Sequence, residues 1–171
     1  MLNEKIQDAF NKQLNAELFS SYLYVSMAAY CESQNLKGMA HWMRLQAQEE
    51  NMHAMKFFDF INERGGKVVL TQIDAPKVEW SSPLEVFEDT CEHERKVTAL
   101  IHNLVDLALS EKDHAAYAFL QWFVTEQVEE EASAQEIAGK LKLVGDRAGM
   151  LFMLDRELAQ RPAPAASAAQ A

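Results

Sequence analysis

Six residues of this 171-residue chain have types and spacings that could do chemistry together: Glu17, Glu50, His53, Glu94, Gln127 and Glu130. Each interrupts an otherwise apolar helical stripe. Glu17 lies between Phe10 and Tyr24, and Glu50 with His53 between Met43 and Phe57. Glu94 follows Cys91 and precedes Ile101, and Gln127 with Glu130 lies between Phe123 and Ala134. Four carboxylates in a low-dielectric interior would cost several kcal/mol each if nothing compensated them. Two divalent cations neutralise them. Oxygen-rich ligation with one imidazole suits iron or manganese better than structural zinc, which favours Cys and His in closed tetrahedra.

The spacing predicts one site rather than four accidents. Glu17 to Glu50 spans 33 positions, and so does Glu94 to Gln127. Within each pair a tight turn falls midway, near Asn35 and near Lys112. Residues equidistant from a tight turn stand at equal height in an antiparallel helix pair, so all six converge on one level.

The elements that must hold them read as an all-α, up-down-down-up four-helix bundle. Apolar periodicity predicts helices over roughly 4–33 and 36–64, the second stopped by Gly65-Gly66. Ser82-Pro83-Leu84-Glu85 resembles a capping box with proline at the first helical position. It opens a third helix to about Ser110, with Leu84, Phe87, Cys91, Ile101, Val105 and Ala108 facing the core. A fourth begins near Asp113, and a short fifth covers about 147–159. The connection over 66–81 is long. About sixteen extended residues reach about 50 Å, against about 42 Å for a helix of about 28 residues, so this loop can cross the whole bundle and leave the second and third helices parallel. Residues 1–160 form one domain on this reading, and 161–171, RPAPAASAAQA, an Ala/Pro-rich flexible tail.

Composition excludes some partners. Sixteen Lys and Arg against 26 Asp and Glu give a formal charge of −10, which disfavours phosphate-backbone binding and suits cations. No run approaches a membrane span, and MLNEKIQDAF lacks the apolar segment of a secretory signal. Cys31 and Cys91 match no metal or redox spacing. Free thiols in a reducing cytoplasm are expected, with neither nucleic acid nor membrane as partner.

With those motifs in place, residues 1–160 closely resemble the bacterial non-haem ferritins. NAELFSSYLYVS carries Glu17 and Tyr24, AQEENMHAMKF carries Glu49, Glu50 and His53, CEHERK carries Glu94, and TEQVEEEAS carries Glu126, Gln127, Glu129 and Glu130. The resemblance implies a ferritin-like bundle with a short C-terminal fifth helix. It implies that Glu17, Glu50 and His53 hold one iron and that Glu50, Glu94 and Glu130 hold the second, with Glu50 bridging. Gln127 would order the oxygen ligands, and Tyr24 would be the redox-active tyrosine beside the pair. Glu49, Glu126, Glu129 and Glu130 match the ligands of a third iron site. Haem is not implied: the haem methionine of bacterioferritins falls where this chain has Asn51, and their second E-x-x-H is replaced by Gln127-x-x-Glu130.

The implied activity is ferroxidase: Fe(II) oxidised to Fe(III) by O2 or H2O2, then stored as oxyhydroxide mineral inside a homo-oligomeric shell of 24 subunits. A di-iron redox or peroxide-detoxifying protein without substantial storage is the alternative. Residues 18–31, LFSSYLYVSMAAYC, are apolar nearly all round their helix, which a single bundle core cannot cover; another subunit is expected there.

Overall fold

A computed structural model describes residues 2–145 and 147–164. It contains α1 (Glu4–Ser33), α2 (Lys37–Glu63), α3 (Pro83–Ser110), α4 (His114–Val144) and α5 (Ala148–Leu158). All five boundaries fall within two residues of those expected from periodicity, because strong local signals set them. Asn3 caps α1 by accepting from Lys5 N at 2.8 Å, and Asp113 caps α4 through Ala116 N at 3.0 Å. Ser82 caps α3 through Glu85 N, but Glu85 reaches back to Ser81 N and Oγ rather than to Ser82 itself. The two tight turns each need one left-handed residue, Asn35 (φ 60°) and Lys112 (φ 55°).

Ionic and hydrogen-bonded pairs between distant elements fix the topology. At one end of the bundle Lys5 and Asn3 of the α1 start bond Glu111 after α3, and Arg64 after α2 makes a two-pronged contact with Asp113 before α4. At the other end, α5 packs on the start of α2. The end of α2 and the start of α3 therefore lie at opposite ends, and the connection between them must cross the bundle. It does so along α1. Gln7 and Asn11 accept from Lys67 N and Val69 N at 2.8 and 2.7 Å, Asn15 donates to Gln72 O, and Ser26 donates to Lys77 O at 2.7 Å. Residues 7, 11 and 15 are one turn apart, so one polar face of α1 satisfies the backbone of a segment that has no secondary structure of its own.

The core is split. One apolar cluster, around Phe10, Phe57, Ile101 and Phe123, fills the end where α1 begins. The other, around Met27, Met43, Phe87 and Leu141, fills the end that α5 closes. On α3 the core stripe passes through Leu104 rather than Val105, which is only half-buried. Between the clusters lies a polar layer, and every one of its carboxylates comes from the stripe interruptions in the sequence. Among the described residues no helix is long and apolar enough to cross a membrane.

Candidate metal centre

Each helix of the bundle sends at least one acid into the layer. Glu17, Glu50 and Glu94 are each 1% exposed, His53 4%, Gln127 5% and Glu130 6%. Ligand atoms of Glu17, Glu50 and His53 lie within 4.8 Å of one another, and so do those of His53, Glu126 and Glu130. His53 Nδ1 is 3.4 Å from Glu50 Oε2, the separation its i, i+3 position on α2 allows.

Two of these atoms are unsatisfied. Glu17 Oε2 and Glu50 Oε2 are buried without a hydrogen-bond partner. Buried carboxylate oxygens are rarely left so, and a pair of them aimed at one space beside an imidazole is what a cation would complete. The electrostatics agree. Burial, then the charge of Glu50, holds Glu17 well above the usual carboxylate range. Burial, then Glu94 and Glu130, does the same to Glu50. Glu130 is pushed up to about 8 by burial and by Glu94 and Glu49. Burial so arranged favours the protonated carboxyl, and a bound cation would favour the carboxylate instead.

Glu94 is handled differently. Tyr24 Oη donates to Glu94 Oε1, and Gln127 Nε2 donates to Glu94 Oε2 at 3.1 Å while also reaching Thr98 Oγ1 at 3.2 Å. Burial raises the Glu94 carboxyl, and the bonds from Tyr24 and Gln127 oppose that rise. Tyr24 is itself fully buried, and burial with the Glu94 charge holds its phenol far above the usual range. The structure thus brings Glu17, Glu50, His53, Glu126 and Glu130 into two compact groups, with Glu94, Tyr24 and Gln127 as a hydrogen-bonded triad beside them. Glu49 stands outside both groups, with its carboxylate engaged by Arg161. Glu129 is exposed and also lies outside them.

Sequence reasoning missed three supporting side chains, Gln13, Gln46 and His93. Gln13 donates to Glu17 Oε1 at 2.8 Å, and Gln46 donates to Glu130 Oε2. Both glutamines sit one turn before a site glutamate, Gln13 before Glu17 and Gln46 before Glu50, a polar repeat within the core stripe that was there to be read. His93, next to Glu94 on α3, lies edge-on to the Tyr24 ring at 5.8 Å and pairs with Ser20 Oγ at 2.8 Å. Its burial pushes its pKa down to about 4, so it stays neutral behind the tyrosine. Trp122 packs edge-to-face on the His53 ring at 5.2 Å and buttresses that ligand from outside. Both cysteines are free and buried, and burial pushes the Cys31 thiol up to about 12.

Comparison with known proteins points one way. Residues 7–144 match the model of the ferritin-like domain family. A bacterial non-haem ferritin of Bacteroides fragilis is 50% identical over 161 residues, 94% of this chain and 100% of that protein. One from Staphylococcus saprophyticus is 44% identical, over 94% of this chain and 96% of its own. Among solved structures, an open-pore ferritin from the archaeon Archaeoglobus fulgidus superposes with a TM-score of 0.94 at 55% identity, covering 95% of this chain and 100% of that one.

Proposed function

We infer function from a plain premise: this chain belongs to the bacterial non-haem ferritin family. It is an iron-storage protein with ferroxidase activity, and Fe(II) is its substrate. The observation that carries this reading is the pair of buried oxygens on Glu17 and Glu50 that lack a hydrogen-bond partner among the described residues and lie beside His53 at the mid-level of the bundle.

The residue roles are those that the family resemblance implies, and the two compact groups support them. Glu17, Glu50 and His53 hold one Fe(II), and Glu50, Glu94 and Glu130 hold the second, with Glu50 shared. Carboxylates stabilise Fe(III) over Fe(II), which lowers the barrier to losing an electron. Two Fe(II) supply two electrons, enough to reduce one O2 with two protons to H2O2, or one H2O2 with two protons to water. Burial and neighbouring carboxylates raise the proton affinity of Glu17, Glu50 and Glu130, so iron binding there is expected to release protons. Gln127 keeps Glu94 in one rotamer, and Tyr24, whose hydroxyl rests on Glu94, is placed to pass an electron to the site. Glu49, Glu126, Glu129 and Glu130 are the proposed ligands of a third iron site, of which Glu126 and Glu130 already lie together beside His53.

Storage needs a container, and we propose the 24-subunit shell of the family. Tyr22 and Val25 on α1, and Met150, Phe152 and Met153 on α5, are about half exposed or more in the single chain, which leaves two apolar faces for neighbouring subunits. A cytoplasmic location is supported by the unpaired cysteines. The test is anaerobic loading with Fe(II) followed by O2 in a stopped-flow instrument. Glu50→Ala and His53→Ala are each expected to slow oxidation by at least tenfold; an unchanged rate in both would reject the assignment. A monomeric mass in solution would reject the shell.

A further inference from the structure

The chain does not end its business at α5. Gly38 lets α5 come so close to α2 that a Cβ there would stand 1.6 Å from Asp155 O. Asp155 Oδ1 accepts from Met39 N at 2.9 Å, which supplies the cap that Leu36 lacks. Thus anchored, the chain turns at Ala159 and Gln160 and lays Arg161 along α2. His41 Nε2 meets Arg161 O at 3.0 Å, and the guanidinium lies 4.4 Å from the Trp42 ring centre. One guanidinium nitrogen donates to Trp42 O at 3.3 Å and to Gln46 Oε1 at 2.9 Å, and the other donates to Glu49.

We propose that Arg161 is a built-in counter-cation for the outer iron ligands, and that metal binding at those ligands has to expel it. The inference rests on the ferroxidase reading above. Its guanidinium touches Glu49 directly and Glu130 through one neutral relay, since Gln46 accepts from Arg161 and donates to Glu130. In the metal-free protein an arginine there supplies the positive charge that these acids need. It cannot supply less by losing a proton, because guanidinium stays charged at any working pH. A cation at Glu49 therefore meets a fixed like charge across the same carboxylate, and the only relief is for Arg161 to swing away. Both side chains are about one-fifth exposed, so the pair is screened incompletely by water and the exit route is open.

Linkage makes the effect reciprocal: whatever weakens metal at Glu49 must also be loosened by it. The segment after α5 then reports, and restrains, the filling of the site that needs Glu49, while the inner pair, which makes no use of Glu49 and meets Arg161 only through Gln46, fills without expelling it. Iron passing outward meets a ligand set kept weak by Arg161, which favours transit over retention.

Metal-free assembled protein is titrated anaerobically with Zn(II), which changes no oxidation state, and followed by calorimetry in the wild type, Arg161→Gln, Glu49→Gln and the double variant. Hydrogen exchange of the peptide spanning 155–164 is measured alongside. Arg161→Gln is expected to tighten the weaker class of Zn(II) sites by about tenfold and to leave the tight class alone. No gain is expected when Glu49 is already Gln. In the wild type, filling the weaker class is expected to speed exchange around Gln160 and Arg161. A weaker class that is unmoved or loosened by Arg161→Gln, or exchange that stays flat or slows, overturns the proposal while the tight class still stands. Absence of the tight class in the wild type would instead overturn the ferroxidase reading and this inference with it.

Discussion

Replacing Glu130 with Gln should stabilise the metal-free protein and destabilise the metal-loaded one, and the size of the first effect follows from the site. The Glu130 carboxyl has a pKa of about 8 in the fold, against about 4.5 in an exposed chain. The fold is thus favoured fully below about pH 4.5, where both states carry the proton. It loses that advantage as pH rises towards 8, because the unfolded chain ionises freely and the folded one does not. At 1.36 kcal/mol per unit, the loss is about 3 kcal/mol by pH 7 and about 5 kcal/mol by pH 9. Glutamine has the shape of the protonated acid, can accept the same bond from Gln46, and does not titrate. Chelator-treated Glu130→Gln should therefore resist guanidinium better than the wild type by up to about 3 kcal/mol at pH 7, with the gap closing near pH 4.5 and widening towards pH 9. With Zn(II) present the order should invert, because a ligand has been lost. Circular dichroism across pH 4.5 to 9, with and without metal, reads both effects. A variant less stable than the wild type without metal, or one with the same pH slope, would refute the view that this acid is held neutral until a cation arrives.

Other perturbations probe the scaffold. Gly38→Ala should lever α5 away from α2 and remove the Asp155 cap, costing at least about 3 kcal/mol; faster hydrogen exchange over 148–161 with the bundle otherwise intact would be the signature. Lys112→Gly should stabilise the α3–α4 turn by about 0.5–1 kcal/mol, since Lys112 carries a φ of 55° that glycine adopts without strain. A lowered melting temperature would contradict it. Together with the Glu50, His53 and Arg161 variants above, these separate the site from its supports.

Much of this arrangement was legible in the sequence for a simple reason. Long amphipathic helices joined by three-residue turns leave little freedom, so equal sequence distance from a turn becomes equal height. That is why Glu17, Glu50, His53, Glu94, Gln127 and Glu130 could be placed in one layer before any coordinates. Side-chain direction at the edge of the layer is a different matter. Glu126 and Glu129 are three apart on α4, yet Glu126 joins His53 and Glu130 while Glu129 faces outward. A shift of a few tens of degrees in helix rotation decides between them, and periodicity does not resolve it. Arg161 was invisible for another reason. The composition from 161 onward is that of a tail, and its contact with Glu49 depends on where α5 docks, which hangs on Gly38 and Asp155 more than a hundred positions earlier or a few before. Residues 165–171 of that tail lie outside the described residues.

The split core explains how a bundle tolerates such a layer at all. Six polar site residues occupy the middle of four helices, where leucines would pack and stabilise. The apolar clusters on either side are large enough to fold the two ends independently of the charge between them: Phe10, Phe57, Phe119 and Phe123 interlock at one end, with ring centres 4.5 to 5.7 Å apart, and Met27, Met43 and Phe87 fill the other. Helices held at both ends keep the acids in register although burying them is costly, so the cost stays in the site rather than being relieved by splaying. A cation entering that layer meets ligands already in place. Glu17, Glu50 and Glu130, raised in proton affinity by burial and partly unsatisfied, are therefore held in place for a cation, and the two hydrophobic ends are what keep the layer from relaxing.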